Sequence, residues 1–170
     1  MQKIAKFEKV SFDQFQKDWS ANFNTNETEM HTVYDAIRLP RRSTAGSAGY
    51  DFYAPITFTL KPGEVLLIPT GIRVKMADGY VLMLFPRSGL GFKYRMQLNN
   101  TVGIIDADYY QADNEGHIMC KITNDTHEEK TLTLAAGKGM IQGIFVSFGI
   151  TEDDEADGVR TGGFGSTSKE

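Results

Sequence analysis

Several short segments of this chain combine charged groups with glycines or hydroxyls and could bind a ligand or carry out chemistry on it. In the first, residues 106–109 (Asp-Ala-Asp-Tyr) follow the apolar residues 103–105. A carboxylate at the end of an apolar strand, such as Asp106, can orient or deprotonate a water molecule. In an extended backbone Asp108 would point away from Asp106, so we expect only one of the two to face a shared site. The alternative is a simple turn, in which Asp is common.

The second segment, residues 86–91 (Pro-Arg-Ser-Gly-Leu-Gly), could bind phosphate. Arg87 supplies a cation, Ser88 a hydroxyl and Gly89 an accessible backbone N–H group within one compact loop. The segment is not a P-loop, because the Gly-Lys-Ser/Thr ending is missing. An ordinary turn that contains an arginine is the alternative.

Two polar residues stand alone in apolar runs. Asp51 is the one acid in residues 48–54. An acid in such a place must face water, an arginine or a hydrated metal ion to avoid a desolvation penalty. Gln142 is a lone amide in the apolar run that begins at Met140. It could contact a ligand, or it could only satisfy backbone groups in the core.

Residues 160–167 (Arg-Thr-Gly-Gly-Phe-Gly-Ser-Thr) form a glycine-rich arm three residues from the end of the chain. Glycines let the backbone approach a ligand closely, and Arg160 adds a fixed charge. The ring of Phe164 could lie flat on a base. The alternative is a disordered tail, which is the usual fate of a Gly/Ser-rich terminus.

Composition narrows the possible functions. The 170 residues carry a net charge of −4 with a pI near 5.4, which argues against sequence-independent binding to DNA or RNA. No apolar run approaches the length that spans a bilayer, and the N-terminus is too polar for a signal peptide. The single cysteine, Cys120, and three scattered histidines offer no disulfide, zinc cage or Ser-His-Asp triad. We therefore expect a cytoplasmic protein that binds neither nucleic acid nor membrane.

The elements that must position these segments are mostly strands. A short helix is predicted over residues 12–20, with Ser11 as N-cap, Gln14 completing a capping box and Val10 packed on Phe15. Residues 22–29 are polar and predicted as a loop. Short Val-, Ile-, Phe- and Thr-rich runs punctuated by Gly, Pro, Asn and Asp then predict an all-β sandwich, barrel or jelly roll. The predicted strands are 49–54, 64–69, 71–76, 80–85, 96–99, 117–124, 130–134 and 140–149.

We divide the chain into an N-terminal extension (1–31), a β domain (32–150), and an acidic linker with the terminal arm (151–170). The linker carries five acidic side chains in residues 151–158 and no strand pattern. We expect it to be solvated.

Taken together and in this order, the segments resemble the five motifs of the trimeric dUTPases, which hydrolyse dUTP to dUMP and pyrophosphate. The resemblance covers residues 33–167, and five ordered matches are far more specific than one glycine-rich loop. It implies a jelly-roll homotrimer whose active sites are shared between chains. It also implies a role in keeping uracil out of DNA and in supplying dUMP for dTMP synthesis.

The resemblance also implies a role for each candidate residue. Asp106 would activate the water that attacks the α-phosphorus, and Tyr109 would pack against deoxyribose and exclude a ribose. Asp51 would contact Mg²⁺ through water, the ion itself being held by the triphosphate. The remaining assignments are uracil at Asn100, Gly103 and Ile105; the α- and β-phosphates at Arg87, Ser88, Gly89 and Gln142; the γ-phosphate at Arg160, Gly165, Ser166 and Thr167; and stacking over uracil by Phe164.

The chain departs from the family pattern in several places. Gly139 and Ile141 stand where the family commonly has Arg and Ala. The connection after Tyr109 is about five residues longer than usual, and we expect it to form an enlarged surface loop beside the site. The extension before residue 32 is unusual for a minimal member.

Two further functions stay open from the sequence. The long extension and the enlarged loop motivate a nucleotide-sensing or partner-binding protein on the same scaffold, with an unidentified protein partner. The sister activity, dCTP deamination, needs a base beside the cytosine ring, and no Glu is placed for it near Asp106. A purely structural jelly roll leaves the five matched segments unexplained.

Overall fold

A computed structural model describes residues 2–160 and 162 of the chain. The helices are α1 (Phe12–Ser20), α2 (Glu27–Ala36) and α3 (Ser88–Tyr94), and a 3₁₀ helix spans Ala107–Gln111. The strands are β1 (Ala5–Lys9), β2 (Arg41–Arg42), β3 (Tyr50–Tyr53), β4 (Phe58–Leu60), β5 (Val65–Pro69), β6 (Ile72–Met76), β7 (Tyr80–Pro86), β8 (Met96–Leu98), β9 (Gly103–Ile105), β10 (Met119–Asn124), β11 (Leu132–Leu134) and β12 (Gly139–Ser147).

The strands form small antiparallel sheets around one core. The largest has the order β2-β3-β12-β7-β9, a second has the order β5-β10-β8, and β1 pairs with β6 and β11 with β4. Residues alternate in β6, where Ile72 and Val74 are buried while Lys75 is exposed, as a strand with one buried face requires. This architecture confirms the predicted all-β jelly-roll class.

Each of the eight predicted strands overlaps an observed strand, with ends that differ by two residues at most. The strands that the pattern did not predict are short or charged. β2 has two residues, and β4 and β9 have three each, too few to show an alternation, and β1 (Ala-Lys-Phe-Glu-Lys) is mostly polar.

The N-terminal extension is a folded layer on the β domain. Helix α1 has the predicted bounds, and the Ser11 hydroxyl accepts a hydrogen bond from Gln14 N. The rest of the predicted capping box is wrong, because the N–H of Ser11 donates to Glu115 and the amide of Gln14 donates to Asp18. Val10, Phe15, Trp19 and Met30 form a second buried cluster, so the apolar face of α1 is docked as expected.

The predicted loop over residues 22–29 is also wrong in its second half. Helix α2 begins at Glu27 and is capped by Asn26, whose side chain accepts from Glu29 N while the Glu29 carboxylate accepts from Asn26 N. These capping residues are polar, which gives the start of this helix the composition of a loop. The helix continues to Ala36 and therefore runs across the boundary at residue 31.

No helix within residues 2–160 and 162 is long and apolar enough to cross a bilayer.

Candidate active site

Three of the predicted phosphate-side residues form one group, which we call the arginine cluster: Asp51, Arg87 and Gln142. Asp51 on β3 lies directly opposite Gln142 on β12, so their side chains share a face of the sheet. Arg87 follows β7 and its Nε lies 3.1 Å from Asp51 Oδ1, while the Ser43 hydroxyl donates to Asp51 Oδ2 at 3.1 Å. Gln142 Nε2 donates to Pro86 O at 3.2 Å. The lone acid and the lone amide of the two apolar runs are therefore neighbours.

Gly139 gives Arg87 its place in this cluster. Arg87 Nη1 donates to Gly139 O at 3.4 Å, and a Cβ at position 139 would overlap the Arg87 guanidinium, with Cζ only 2.8 Å away. Gly139 stands where the resemblance leads one to expect an arginine. The glycine is thus explained by the side chain that occupies its space.

Ser88 and Gly89 lie in a helix, so the predicted loop or turn over residues 86–91 is wrong. Helix α3 begins at Ser88 with Arg87 as its N-cap, and the N–H groups of Leu90 and Gly91 donate to Arg87 O. The first N–H groups of a helix have no acceptor inside it, so those of Ser88 and Gly89 are available to a ligand. The donors expected from a loop are supplied by a helix start.

A second group, which we call the acidic cluster, contains Asp106, Asp108, Tyr109 and Arg160. Arg160 Nη2 donates to Asp106 Oδ2 at 2.6 Å, and Arg160 Nε lies 2.9 Å from Asp108 Oδ1. The expectation that only one of the two carboxylates would face a shared site is wrong. The backbone turns into the 3₁₀ helix at Ala107, which brings both carboxylates to the same side.

Tyr109 is buried in the acidic cluster with 4% of its surface exposed, and the guanidinium of Arg160 lies 5.7 Å from its ring centre. Its hydroxyl donates to His117 O at 2.8 Å and accepts from Asn114 Nδ2 at 2.7 Å. Burial raises the pKa of the phenol, although the hydrogen bond from Asn114 opposes the shift. Tyr109 is therefore a neutral ring fixed at its hydroxyl end.

A cavity of about 440 Å³ opens beside the acidic cluster, between β9 and the sheet of β5, β10 and β8. Its lining includes the three residues predicted to contact a base: Asn100, Gly103 and Ile105. Gly103 lies against Leu84, and a Cβ there would come within 3.0 Å of that side chain. Cys120 also lines the cavity, and burial raises the pKa of its thiol to about 12, so this thiol stays protonated and unreactive.

The two clusters lie apart within one chain. Ile105, which precedes Asp106, pairs with Leu82 on β7, whereas Arg87 follows the opposite end of β7. At about 3.3 Å per residue, the backbones of Asp106 and Arg87 are on the order of 15–20 Å apart. The structure therefore brings base-side residues together with Asp106, and phosphate-side residues together with Asp51, but it does not join the two groups.

The connection after Tyr109 reaches the surface at Gln111 and Asp113, but it is not the free loop that we expected. It packs on the N-terminal extension: Glu115 accepts from the N–H and hydroxyl of Ser11, and the Tyr110 hydroxyl donates to Glu8 at 2.7 Å and also contacts Arg73. Ala112 is buried. Asn114 and His117 were not predicted as functional residues, although a histidine and an apolar residue within a polar loop are signals of burial.

The described residues contain no group of three or more His, Cys, Asp or Glu side chains that could hold a metal ion. Of the terminal arm, Arg160 is the one predicted site residue that the structure describes. Phe164, Gly165, Ser166 and Thr167 lie outside the described residues.

Comparison with known proteins adds a family to this geometry. The dUTPase family model matches residues 35–168. The deoxyuridine 5'-triphosphate nucleotidohydrolase of Lactococcus lactis is 45% identical over 134 residues, which cover 77% of this chain and 88% of that protein. The enzyme of the same name from Janthinobacterium is 40% identical over 138 residues, 78% of this chain and 89% of its own.

Solved structures agree with the sequence matches. A dUTPase from Streptococcus mutans is 33% identical and superposes with a TM-score of 0.62, covering 86% of this chain and 98% of its own. A dUTPase from phage phi11 of S. aureus, 20% identical, covers 92% of this chain and 97% of its own with the same TM-score of 0.62, and shows the shared fold alone. By its family model, its relatives and its architecture, the chain belongs to the dUTPase family.

Proposed function

We propose that the protein is a dUTP diphosphatase, which hydrolyses dUTP to dUMP and pyrophosphate and so removes dUTP while supplying dUMP for dTMP synthesis. Family membership supports the reaction. The observation that carries the assignment to residues is the continuity of the site: the cavity ends at Ile105, and the next residue is Asp106. A base held in the cavity brings its sugar to Tyr109 and its α-phosphate toward the carboxylate.

Asp106 is the group that holds and activates the attacking water. Its side chain is 46% exposed, so water reaches it directly. Arg160 now bridges Asp106 and Asp108, and it is the cation assigned to the γ-phosphate. A triphosphate competes for that guanidinium, and its departure frees Asp106 to accept a proton from water.

The arginine cluster supplies the phosphate side of the reaction. Arg87 with Ser88, Gly89 and Gln142 would bind the α- and β-phosphates, because a guanidinium and free N–H groups match phosphate oxygens. The distance along β7 means that one chain does not bring these groups to its own Asp106. A homotrimer that completes each site with residues of other chains, as the resemblance implies, removes this difficulty.

Asp51 fits one water-mediated contact to Mg²⁺. Its side chain is only 15% exposed and already accepts from Ser43 and Arg87, so it retains few free lone pairs for direct coordination. Magnesium keeps much of its hydration and is commonly held by substrate phosphates, which suits a single outer carboxylate. When bound, the ion neutralises charge on the triphosphate.

Base and sugar selection fall to the cavity and its surroundings. Asn100, Gly103 and Ile105 would contact uracil, and the narrow approach of Gly103 to Leu84 leaves no room beside the strand for a larger residue. Phe164, Gly165, Ser166 and Thr167 would close over the bound nucleotide. Tyr109 would lie against deoxyribose.

The test is a nucleotide panel with pyrophosphate release as the readout. We expect turnover of dUTP with Mg²⁺, and far slower turnover of dTTP, UTP and dCTP. Replacing Asp106 with Asn should lower kcat by about 10²- to 10⁴-fold, the usual contribution of a general base. Asp78→Asn, in an exposed turn, is the matched control and should leave kcat unchanged. Near-normal release by Asp106→Asn, or tight dUTP binding without turnover in the native protein, would contradict the assignment.

A further inference from the structure

We propose that Asn114, in the connection between Tyr109 and β10, is a positioning residue that selects deoxyribose over ribose. It acts by fixing the hydroxyl of Tyr109, and through it the ring that faces the sugar. The inference rests on the proposed function, because it takes Tyr109 as the wall of the sugar site.

The Tyr109 hydroxyl is held by two hydrogen bonds of opposite direction. It donates to His117 O at 2.8 Å and accepts from Asn114 Nδ2 at 2.7 Å. The Cα end of the same residue is fixed in the 3₁₀ helix. A phenol anchored at both ends of its long axis can neither tilt nor slide without breaking a buried hydrogen bond.

Asn114 is itself held in place by its surroundings. Its Oδ1 accepts from Gly116 N at 3.2 Å, and its backbone carbonyl accepts from His117 N at 3.0 Å. With Oδ1 engaged by an N–H donor, the amide must present Nδ2 as a donor to Tyr109. Gly116 allows this turn with a φ of +69°.

The second anchor, His117 O, is fixed by the N-terminal extension. The His117 ring is fully buried, and its Nε2 accepts from Gly71 N at 2.8 Å, so the proton of the neutral ring lies on Nδ1. Nδ1 donates to Asp18 Oδ2 on helix α1 at 2.5 Å. Asn114 thus lies in the longer connection, and the His117 ring is held by the extension, the two parts of the chain that depart from the family pattern.

Rigidity matters because the selection is steric. An apolar surface excludes an added hydroxyl by steric clash only if the surface is rigid, and a surface that can shift discriminates weakly between ribose and deoxyribose. Asn114 therefore contributes to selectivity without touching the nucleotide. Removing the Asn114 side chain is therefore expected to change kcat/KM for UTP and for dUTP by different factors. A general loss of stability would lower both values by the same factor.

The experiment compares kcat/KM for dUTP and UTP in four forms of the full-length protein: native, Asn114→Ala, Tyr109→Phe and the double variant. Asn114→Ala should lower the dUTP/UTP ratio by about 5-fold, the value of one hydrogen bond. Tyr109→Phe should lower it at least as much, and adding Asn114→Ala to it should change the ratio no further. Asn26→Ala, which removes the exposed cap of helix α2, is the matched control and should leave the ratio unchanged.

The outcomes separate the inference from the function. An unchanged ratio in Asn114→Ala, or equal effects of Asn114→Ala with and without the Tyr109 hydroxyl, overturns the role of Asn114 while leaving dUTP hydrolysis intact. If Asn114→Ala does not fold, an unchanged ratio in Tyr109→Phe overturns it equally. Absence of dUTP turnover in the native protein refutes the proposed function instead.

Discussion

The contact between Asp18 and His117 joins the N-terminal extension to the β domain, and its removal should destabilise the whole protein. Asp18 Oδ2 accepts from His117 Nδ1 at 2.5 Å and from Gln14 Nε2 at 2.7 Å. Burial alone would raise the pKa of Asp18, but the hydrogen bonds from His117 and Gln14 outweigh it and lower that pKa. The carboxylate is therefore ionised and engaged at neutral pH.

The expected loss of stability follows from the buried hydrogen-bond donors that Asp18→Ala leaves without an acceptor. The His117 ring is 0% exposed, so its Nδ1–H loses its acceptor with no water to replace it, which costs about 1–3 kcal/mol. The Gln14 amide, 8% exposed, loses a second bond worth about 1 kcal/mol. We expect a total near 3 kcal/mol, or a fall in Tm of roughly 6–12 °C for a chain of this size.

The assay is thermal and urea unfolding at one fixed protein concentration, because assembly changes apparent stability. Asp18→Asn keeps an acceptor for His117 and should cost about 1 kcal/mol. Asp13→Ala, on the exposed side of the same helix, removes only a charge near the helix N-terminus and should cost less than about 1 kcal/mol. If Asp18→Ala and Asp13→Ala lower Tm equally, the buried contact does not anchor the extension.

Two further predictions concern the N-terminal extension and the connection after Tyr109 that packs on it. Gly116→Ala should destabilise the protein by about 2 kcal/mol or more in urea unfolding, because its Cβ would lie 2.6 Å from Tyr109 O at a φ of +69°. The control is Gly63→Ala, at a φ of +80° with open space around it, which should cost only about 1 kcal/mol. Equal losses of stability in the two variants would contradict the clash at Gly116. Hydrogen bonds from Lys6 and Tyr110 lower the pKa of Glu8 from 4.5 to about 2, so its ionised form stabilises the fold above pH 4.5 and this stabilisation is lost as pH falls toward 2. Unfolding of Glu8→Gln across that range should depend less on pH than that of the native protein, and parallel pH profiles would show that Glu8 is not engaged.

The strands and the motifs were predictable from the sequence because each depends on local chemistry. Alternation marked β6, and the cap at Ser11 marked α1. The local sequence pattern also identified the two carboxylates as candidates, but it did not predict that both lie on the same side of the backbone. Asp108 joins Asp106 because the backbone enters a 3₁₀ helix at Ala107, and a helix of five residues is too short to leave a periodic signal in the sequence.

The contacts between distant segments could not be predicted. Asp18 and His117 are 99 residues apart, and nothing in either neighbourhood identifies the partner. Gly139 is a similar case. In the sequence it is only the absence of the arginine that the family commonly has, whereas in the structure the Arg87 guanidinium occupies the space that a side chain at position 139 would need. The role of such a residue depends on the distant side chains that contact it, and these contacts exist only in the folded chain.

Strand β1 determines what β6 can pair with. In the part of the chain that the structure describes, β6 has β1 as its single ladder partner, from Ala5 opposite Met76 to Lys9 opposite Ile72. An uncovered strand edge offers a row of unpaired N–H and C=O groups to any other chain. The extension closes this edge within the chain and places charged Lys and Glu side chains along it, so it protects β6 from intermolecular pairing and aggregation.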